Sequence, residues 1–189
     1  MMMLIAGLLL FFAPHCISIF NEQWRDQLAA KIGSGPWKGL YSIVSLAGFA
    51  LICIGYGMAR QDPIVLYTAP TWMRHVMMLL MLLVFPLFLA TNLPGKIKAK
   101  AKHPLLAATK IWAFAHLLVN GTLADVLLFG SFLAWAVLDR ISMKKRIQRP
   151  IAGAPTTKYN DYAAVVVGLI IYAVFIMWGH RALIGVPVF

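Results

Sequence analysis

Acidic residues are scarce in this chain. Six Asp and Glu stand against 17 Lys and Arg in 189 residues, a formal net charge of +11. Charge of either sign is low at 12%, which excludes a disordered chain, since disorder needs low hydrophobicity and high net charge. There are two cysteines, Cys16 and Cys53, both inside apolar runs. They imply neither a disulfide framework nor a CxxC metal site and read as small packing residues. The chain also lacks an internal repeat, a glycine-rich phosphate loop, a nucleophile elbow and an HExxH motif. No carboxylate pair and no broken helices in matching halves are present, which argues against an ion-coupled transporter. What dominates instead is apolar sequence: 61% of residues are hydrophobic and the mean hydropathy is +0.80. A soluble domain of this size leaves roughly a third of its surface facing water and cannot hide so much apolar area. The composition therefore predicts an integral membrane protein.

A helical span needs about 20 mostly apolar residues. Runs of that kind predict spans near 1–21, 39–59, 75–95 and 162–180. The apolar stretch 111–138 is too long for one helix, and the turn dipeptide Asn120-Gly121 divides it into spans near 104–119 and 122–138. The fold class is thus all-α, a polytopic membrane helix bundle of about six transmembrane helices in a single domain, 1–189. The segment 22–32 carries Trp24, Leu28 and Ile32 at helical spacing and predicts a short interfacial helix extending the first span. The stretch 149–158, with Pro150, Gly153 and Pro155, predicts a loop. The N-terminus has no basic n-region and a poor cleavage site, so the first segment is expected to remain in the protein.

Six spans alternate the connecting regions between two sides, with 14 Lys and Arg on one and 3 on the other. This asymmetry predicts that the basic side is cytoplasmic and that both termini lie outside. The run Lys96, Lys98, Lys100 and Lys102 offers a lipid or nucleic-acid patch, but a positive-inside loop accounts for it. No nucleic-acid partner is needed, and the partner implied is the lipid bilayer.

Ionisable groups at membrane depth are costly and are functional candidates by default. His75 and His180 fall at the outer ends of spans and His103 in a cytoplasmic Lys-His-Pro step, where all three reach water. His15 and His116 are flanked by apolar residues within spans. Each is open to two readings: a neutral imidazole bonded to neighbouring groups, or a ligand to a metal or to haem iron, for which paired imidazoles on facing helices are a recurrent bundle design. A rise of 1.5 Å per residue puts His116 roughly 18 Å and His15 roughly 7–8 Å from the inner face, a mismatch that shrinks if the first helix runs on to Trp24. Ala113 and Ala115 permit close approach of a helix or a flat ligand beside His116. Asp125 reads as first-turn dipole complementarity three residues after Thr122, with a proton relay as the alternative. Pro86 is expected to kink the third span and Pro14 to bend the first.

Gly39-Leu-Tyr-Ser-Ile-Val-Ser-Leu-Ala-Gly48, Gly55-Tyr-Gly-Met-Ala-Arg60, Trp72-Met-Arg-His75, Lys102-His-Pro104, Trp112-Ala-Phe-Ala-His-Leu-Leu-Val-Asn-Gly121 and the segment Leu127 to Arg140 together resemble the bacterial NnrU family of multi-pass membrane proteins. The likeness extends over nearly the whole chain, through Trp178-Gly-His and on to Pro187. It implies a bacterial inner (plasma) membrane protein with periplasmic termini. It also implies an association with nitrogen-oxide (denitrification) metabolism, with respiratory or denitrification enzymes as partners. The family is similar to the 15-cis-zeta-carotene isomerases, which hold haem b between two histidines. One of those ligands lies in a His-Ser context in the first conserved span, and the other follows a His-Pro step on a Trp-x-x-x-His helix. His15, with Cys16 in the Ser position, and His116 match those contexts, so the resemblance implies haem b with these two as axial ligands of the iron. The isomerases carry a cysteine three residues before the second histidine where this chain has Ala113, a departure that bears on isomerase chemistry and is compatible with haem binding. Three functions follow as expectations: a redox haem protein, a haem-dependent isomerase, and a non-catalytic assembly or accessory protein.

Overall fold

A computed structural model of the protein describes residues 1–147 and 153–188. Among them the regular structure is helical throughout, with one isolated bridge between Val65 and Thr122. The helices are α1 (Met2–Phe20), α2 (Glu22–Ile32), α3 (Ser34–Ala59), α4 (Met73–Met81), α5 (Val84–Ala90), α6 (Lys96–Ala101), α7 (Pro104–Leu117), α8 (Leu123–Ser142) and α9 (Asn160–Val174). A π-helical turn, Phe175–Gly179, joins α9 to α10 (His180–Ile184). Four continuous segments are long and apolar enough to cross a bilayer: Met2–Phe20, Ser34–Ala59, Met73–Ala90 and Asn160–Ile184. Of the other two expected spans, α7 has 14 residues, roughly 21 Å of helix against a hydrocarbon core of about 30 Å. The second, α8, has 20 residues but carries Asp125, Asp139 and Arg140.

The helix ends follow local chemistry. Asn21 leaves helical geometry at φ −149°, and its side chain accepts the Trp24 amide at 2.9 Å, so α1 stops at Phe20 and α2 begins anew. The first span therefore does not run on to Trp24. Pro14 lies buried inside α1 without interrupting it. The third expected span is divided at Leu82 and Leu83, because Pro86 lacks the amide that would bond to the Leu82 carbonyl and its ring crowds that carbonyl. Thr122 and Asp125 form a reciprocal capping box at the start of α8. Of the expected loop 149–158, Arg149 and Pro150 lie outside the described residues, while Gly153 and Pro155 are in non-helical chain.

The chain gathers into two compact units. One comprises Met1–Ala69 and Asn120–Gln148, the other Pro70–Val119 and Arg149–Phe189. In the first, α1 packs along α3 and α8. Glycine makes the α1–α3 approach backbone-close. A Cβ at Gly7 would lie 2.6 Å from the Ile52 nitrogen, one at Gly48 would lie 2.5 Å from the Phe11 nitrogen, and one at Gly55 would collide with the Leu4 nitrogen. Leu4 and Ile52 are buried along this seam, at 0% and 4% exposure. In the second unit α5 packs on α9 and α7, with Gly168 of α9 against the Pro86 backbone. Its core is built on Met81, Ala115 and Tyr172, with Trp112 and Phe85 against them.

Candidate functional site

His15 belongs to the first unit and is half-buried on α1. Its Nδ1 lies 2.6 Å from the Phe11 carbonyl oxygen, one helical turn back. A carbonyl only accepts, so Nδ1 carries the proton and Nε2 the lone pair. The ring is held on three sides. Phe11 stacks on it at 4.2 Å and 21°, Tyr41 of α3 lies at 5.0 Å, and Trp135 of α8 meets it edge-on at 5.7 Å. Cys16, next in the chain, is a free, half-buried thiol.

His116 belongs to the second unit, on α7. It repeats the same local arrangement: Nδ1 lies 2.9 Å from the Trp112 carbonyl oxygen, again one turn back, and the Trp112 ring is 5.5 Å away. The neighbouring Ala113 and Ala115 are both fully buried. Each histidine is thus held by its own helix in the tautomer with the proton on Nδ1.

Of the three histidines expected to reach water, only His75 is exposed, and His103 and His180 are half-buried. The Nδ1 of His180 donates to the Val186 carbonyl at 2.7 Å. Asp125 is buried at 6% exposure and satisfied: one oxygen accepts the Tyr56 hydroxyl at 2.5 Å, the other the Thr122 amide and hydroxyl at 2.9 and 2.7 Å. It is a helix cap locked to α3. Among the described residues no group of three or more His, Cys, Asp or Glu gathers into a metal site. A porphyrin supplies four nitrogens to the iron itself, so a pair of imidazoles, each oriented through Nδ1 by its own helix, is a donor set compatible with haem.

Sequence reasoning passed over the polar groups around His15. The fifth span was expected to end at 138, but α8 continues to Ser142 and carries Asp139 into the first unit, buried at 7% exposure and hydrogen-bonded to Arg146. Asp125 is therefore not the sole buried carboxylate of this helix. The signal was available as spacing: Phe132, Trp135, Asp139 and Ser142 recur at three and four residues and lie on one stripe of α8, and Arg146 follows in the turn after the helix ends. Phe132 packs on Phe11 and Phe12 of α1, which faces the stripe toward that helix.

A protein-family model described as NnrU protein matches residues 3–188 of the chain. No curated protein and no solved structure matches it.

Proposed function

The chain belongs to the NnrU family, and from that premise we propose that it is a haem b protein of the bacterial inner membrane serving a redox role linked to nitrogen-oxide metabolism. The observation that carries this reading is the shared state of His15 and His116, each with Nδ1 bonded to the carbonyl four residues back on its own helix. These two would hold the haem iron. When bound, haem supplies one-electron exchange between ferric and ferrous iron. The chain's own part is positioning: the Phe11 and Trp112 carbonyls fix the tautomers, Phe11 and Trp135 limit rotation of the His15 ring, and the small residues Ala113 and Ala115 keep the flank of His116 close to its neighbours. Isomerase chemistry is the weaker alternative, since the residue three before His116 is a buried alanine with no thiol to offer. Respiratory or denitrification enzymes are the electron partners this role requires.

Six membrane crossings, with both termini periplasmic, form part of the proposal. Support comes from the first unit, where the Leu66 and Tyr67 amides donate to the Gly121 carbonyl at 2.8 and 3.1 Å and the Leu123 amide donates to Ile64. The α7–α8 turn is therefore tied to the loop that follows α3. If that loop is periplasmic, the turn is as well, and α7 and α8 each cross.

Purified protein from haem-replete cells is expected to give a stoichiometric pyridine haemochrome and a low-spin reduced spectrum. His15→Ala and His116→Ala should each abolish or strongly lower haem content. A haem-free native protein, or unchanged haem in both variants, would overturn the ligand assignment.

A further inference from the structure

Between Lys38 and Arg60 the chain holds no Lys, Arg, Asp or Glu. Residues 39–59 of α3 make roughly 31 Å of helix, matching a hydrocarbon core of about 30 Å. The end of α3 at Ala59 therefore sits at one boundary of the bilayer. The polar stretch Arg60-Gln61-Asp62-Pro63 that follows is what a loop leaving the membrane requires. Then the chain turns apolar again without forming a helix: Ile64, Val65, Leu66 and Tyr67 stand in a row at 54, 58, 53 and 39% exposure. Scattered exposed apolar residues are ordinary, but a contiguous run of them marks a contact surface.

The fold fastens this run at the height of the last turn of α3. Tyr56, three residues before Ala59, donates its hydroxyl to Asp125 at 2.5 Å. Thr122, the cap of α8, precedes Asp125 by three residues, roughly 4.5 Å along the axis, so the start of α8 lies beside the end of α3. Val65 bridges to Thr122, with the Leu66 amide donating to the Gly121 carbonyl and the Leu123 amide to the Ile64 carbonyl, each at 2.8 Å. The chain that leaves the helix at Arg60 is thus brought back to the boundary within five residues. Met58, in the last turn of α3, is itself 53% exposed, so the run adds to an apolar surface that α3 already turns outward.

The same bridge sets the direction of the backbone. Val65 and Thr122 exchange no hydrogen bond with each other, so the Val65 amide and carbonyl point to the far side of the segment. The hydrocarbon core offers nothing to bond such an edge, whereas the hydrated headgroup layer just outside it does. Apolar side chains on a backbone that needs water suit the boundary between headgroups and acyl chains. Tyr67, whose hydroxyl donates to the Asn120 carbonyl at 2.8 Å, is of the residue type enriched at that depth.

We infer that Ile64–Tyr67 is a membrane-surface segment, held by Gly121–Leu123 with its backbone in the headgroup layer and its side chains among the outermost acyl groups, and that its partner is the lipid surface. This inference rests on α3 crossing the bilayer and is independent of haem.

The test places a nitroxide on single cysteines in the full chain, with Cys16 and Cys53 replaced by serine, in vesicles of phosphatidylethanolamine and phosphatidylglycerol. Collision rates with oxygen, which concentrates in lipid, and with a water-soluble nickel chelate are compared at Val65→Cys and Leu66→Cys, on the two faces of the extended segment. Ile54→Cys on the exposed surface of α3 and Lys144→Cys, exposed beyond α8, are the lipid and water references. All four side chains are exposed, so the substitutions should leave folding intact. At one or both of positions 65 and 66 the oxygen-to-nickel ratio should lie nearer the Ile54 value than the Lys144 value. Ratios near the Lys144 value at both would overturn the proposal. Dipolar broadening at Leu66→Cys that disappears on dilution with unlabelled protein would assign the run to pairing between copies of the chain and overturn it as well. A label at Ile54→Cys that itself favours nickel would overturn the crossing of α3, and the inference with it.

Discussion

Single residues decide how closely the helices of each unit approach. Gly48 faces the backbone of Phe11 so tightly that no side chain fits, and α1 is held against α3 by van der Waals contact between backbones, the usual device of membrane helix pairs. Gly48→Leu should force α1 and α3 apart, cost about 3 kcal/mol or more, and lower the melting temperature in a detergent thermal-shift assay. Gly57, on the same helix with open space around its Cα, should accept alanine with little change. Tyr67 offers a pH-dependent counterpart outside the spans. Its hydroxyl donates to the Asn120 carbonyl at 2.8 Å, and burial together with the Asp125 charge raises its pKa above the usual tyrosine value. A folded-state pKa raised above the unfolded one gives stability that is complete below about pH 10 and is lost as pH rises through the folded value. Wild-type melting temperature should therefore fall more steeply than that of Tyr67→Phe as the pH is raised from 9 to 11.

At the scale of elements, α8 shows how a polar cap and an apolar body share one helix. Its start is fixed by Thr122 and Asp125, and the Asp125 carboxylate also takes the Tyr56 hydroxyl from α3. Asp125→Ala removes the capping acceptor and leaves a buried phenol unbonded. Capping alone is worth about 1 kcal/mol and the orphaned hydroxyl about 1–3 kcal/mol more, so urea or heat should unfold the variant markedly earlier. Asp125→Asn, which keeps an acceptor, should lose less. These elements were partly legible in advance. The apolar runs, the Asn120-Gly121 turn, the short helix after Asn21 and the capping role of Asp125 could be read from the sequence because each rests on local chemistry. The division between α4 and α5 could be read only as a kink at Pro86. The α8 stripe was missed because the polar residues after 138 resemble a loop when charge alone marks the end of a span; their periodicity, not their polarity, shows that the helix continues. The glycine seam between α1 and α3 depends on which helices pair, a long-range property that no local pattern carries.

For the whole molecule, the number of crossings is open to direct measurement. If the Lys-rich segments on either side of α7 and α8 face the same way, both helices cross or neither does. Only the Asn120-Gly121 turn distinguishes them. With Cys16 and Cys53 replaced by serine, a cysteine at Asn120 should react with a membrane-impermeant maleimide added outside spheroplasts if all six helices cross. Protection there, with labelling only after the membrane is broken, would leave four.

The division into two units has a consequence for how the protein is made. Each unit is assembled from two separated stretches of chain, so that α1 to α3 emerge from the ribosome well before α8, and α4 to α7 well before α9. The first unit cannot close until half of the second has been synthesised, and the second waits in turn for the last helices. Unfinished faces of both must therefore be sheltered in the membrane during translation.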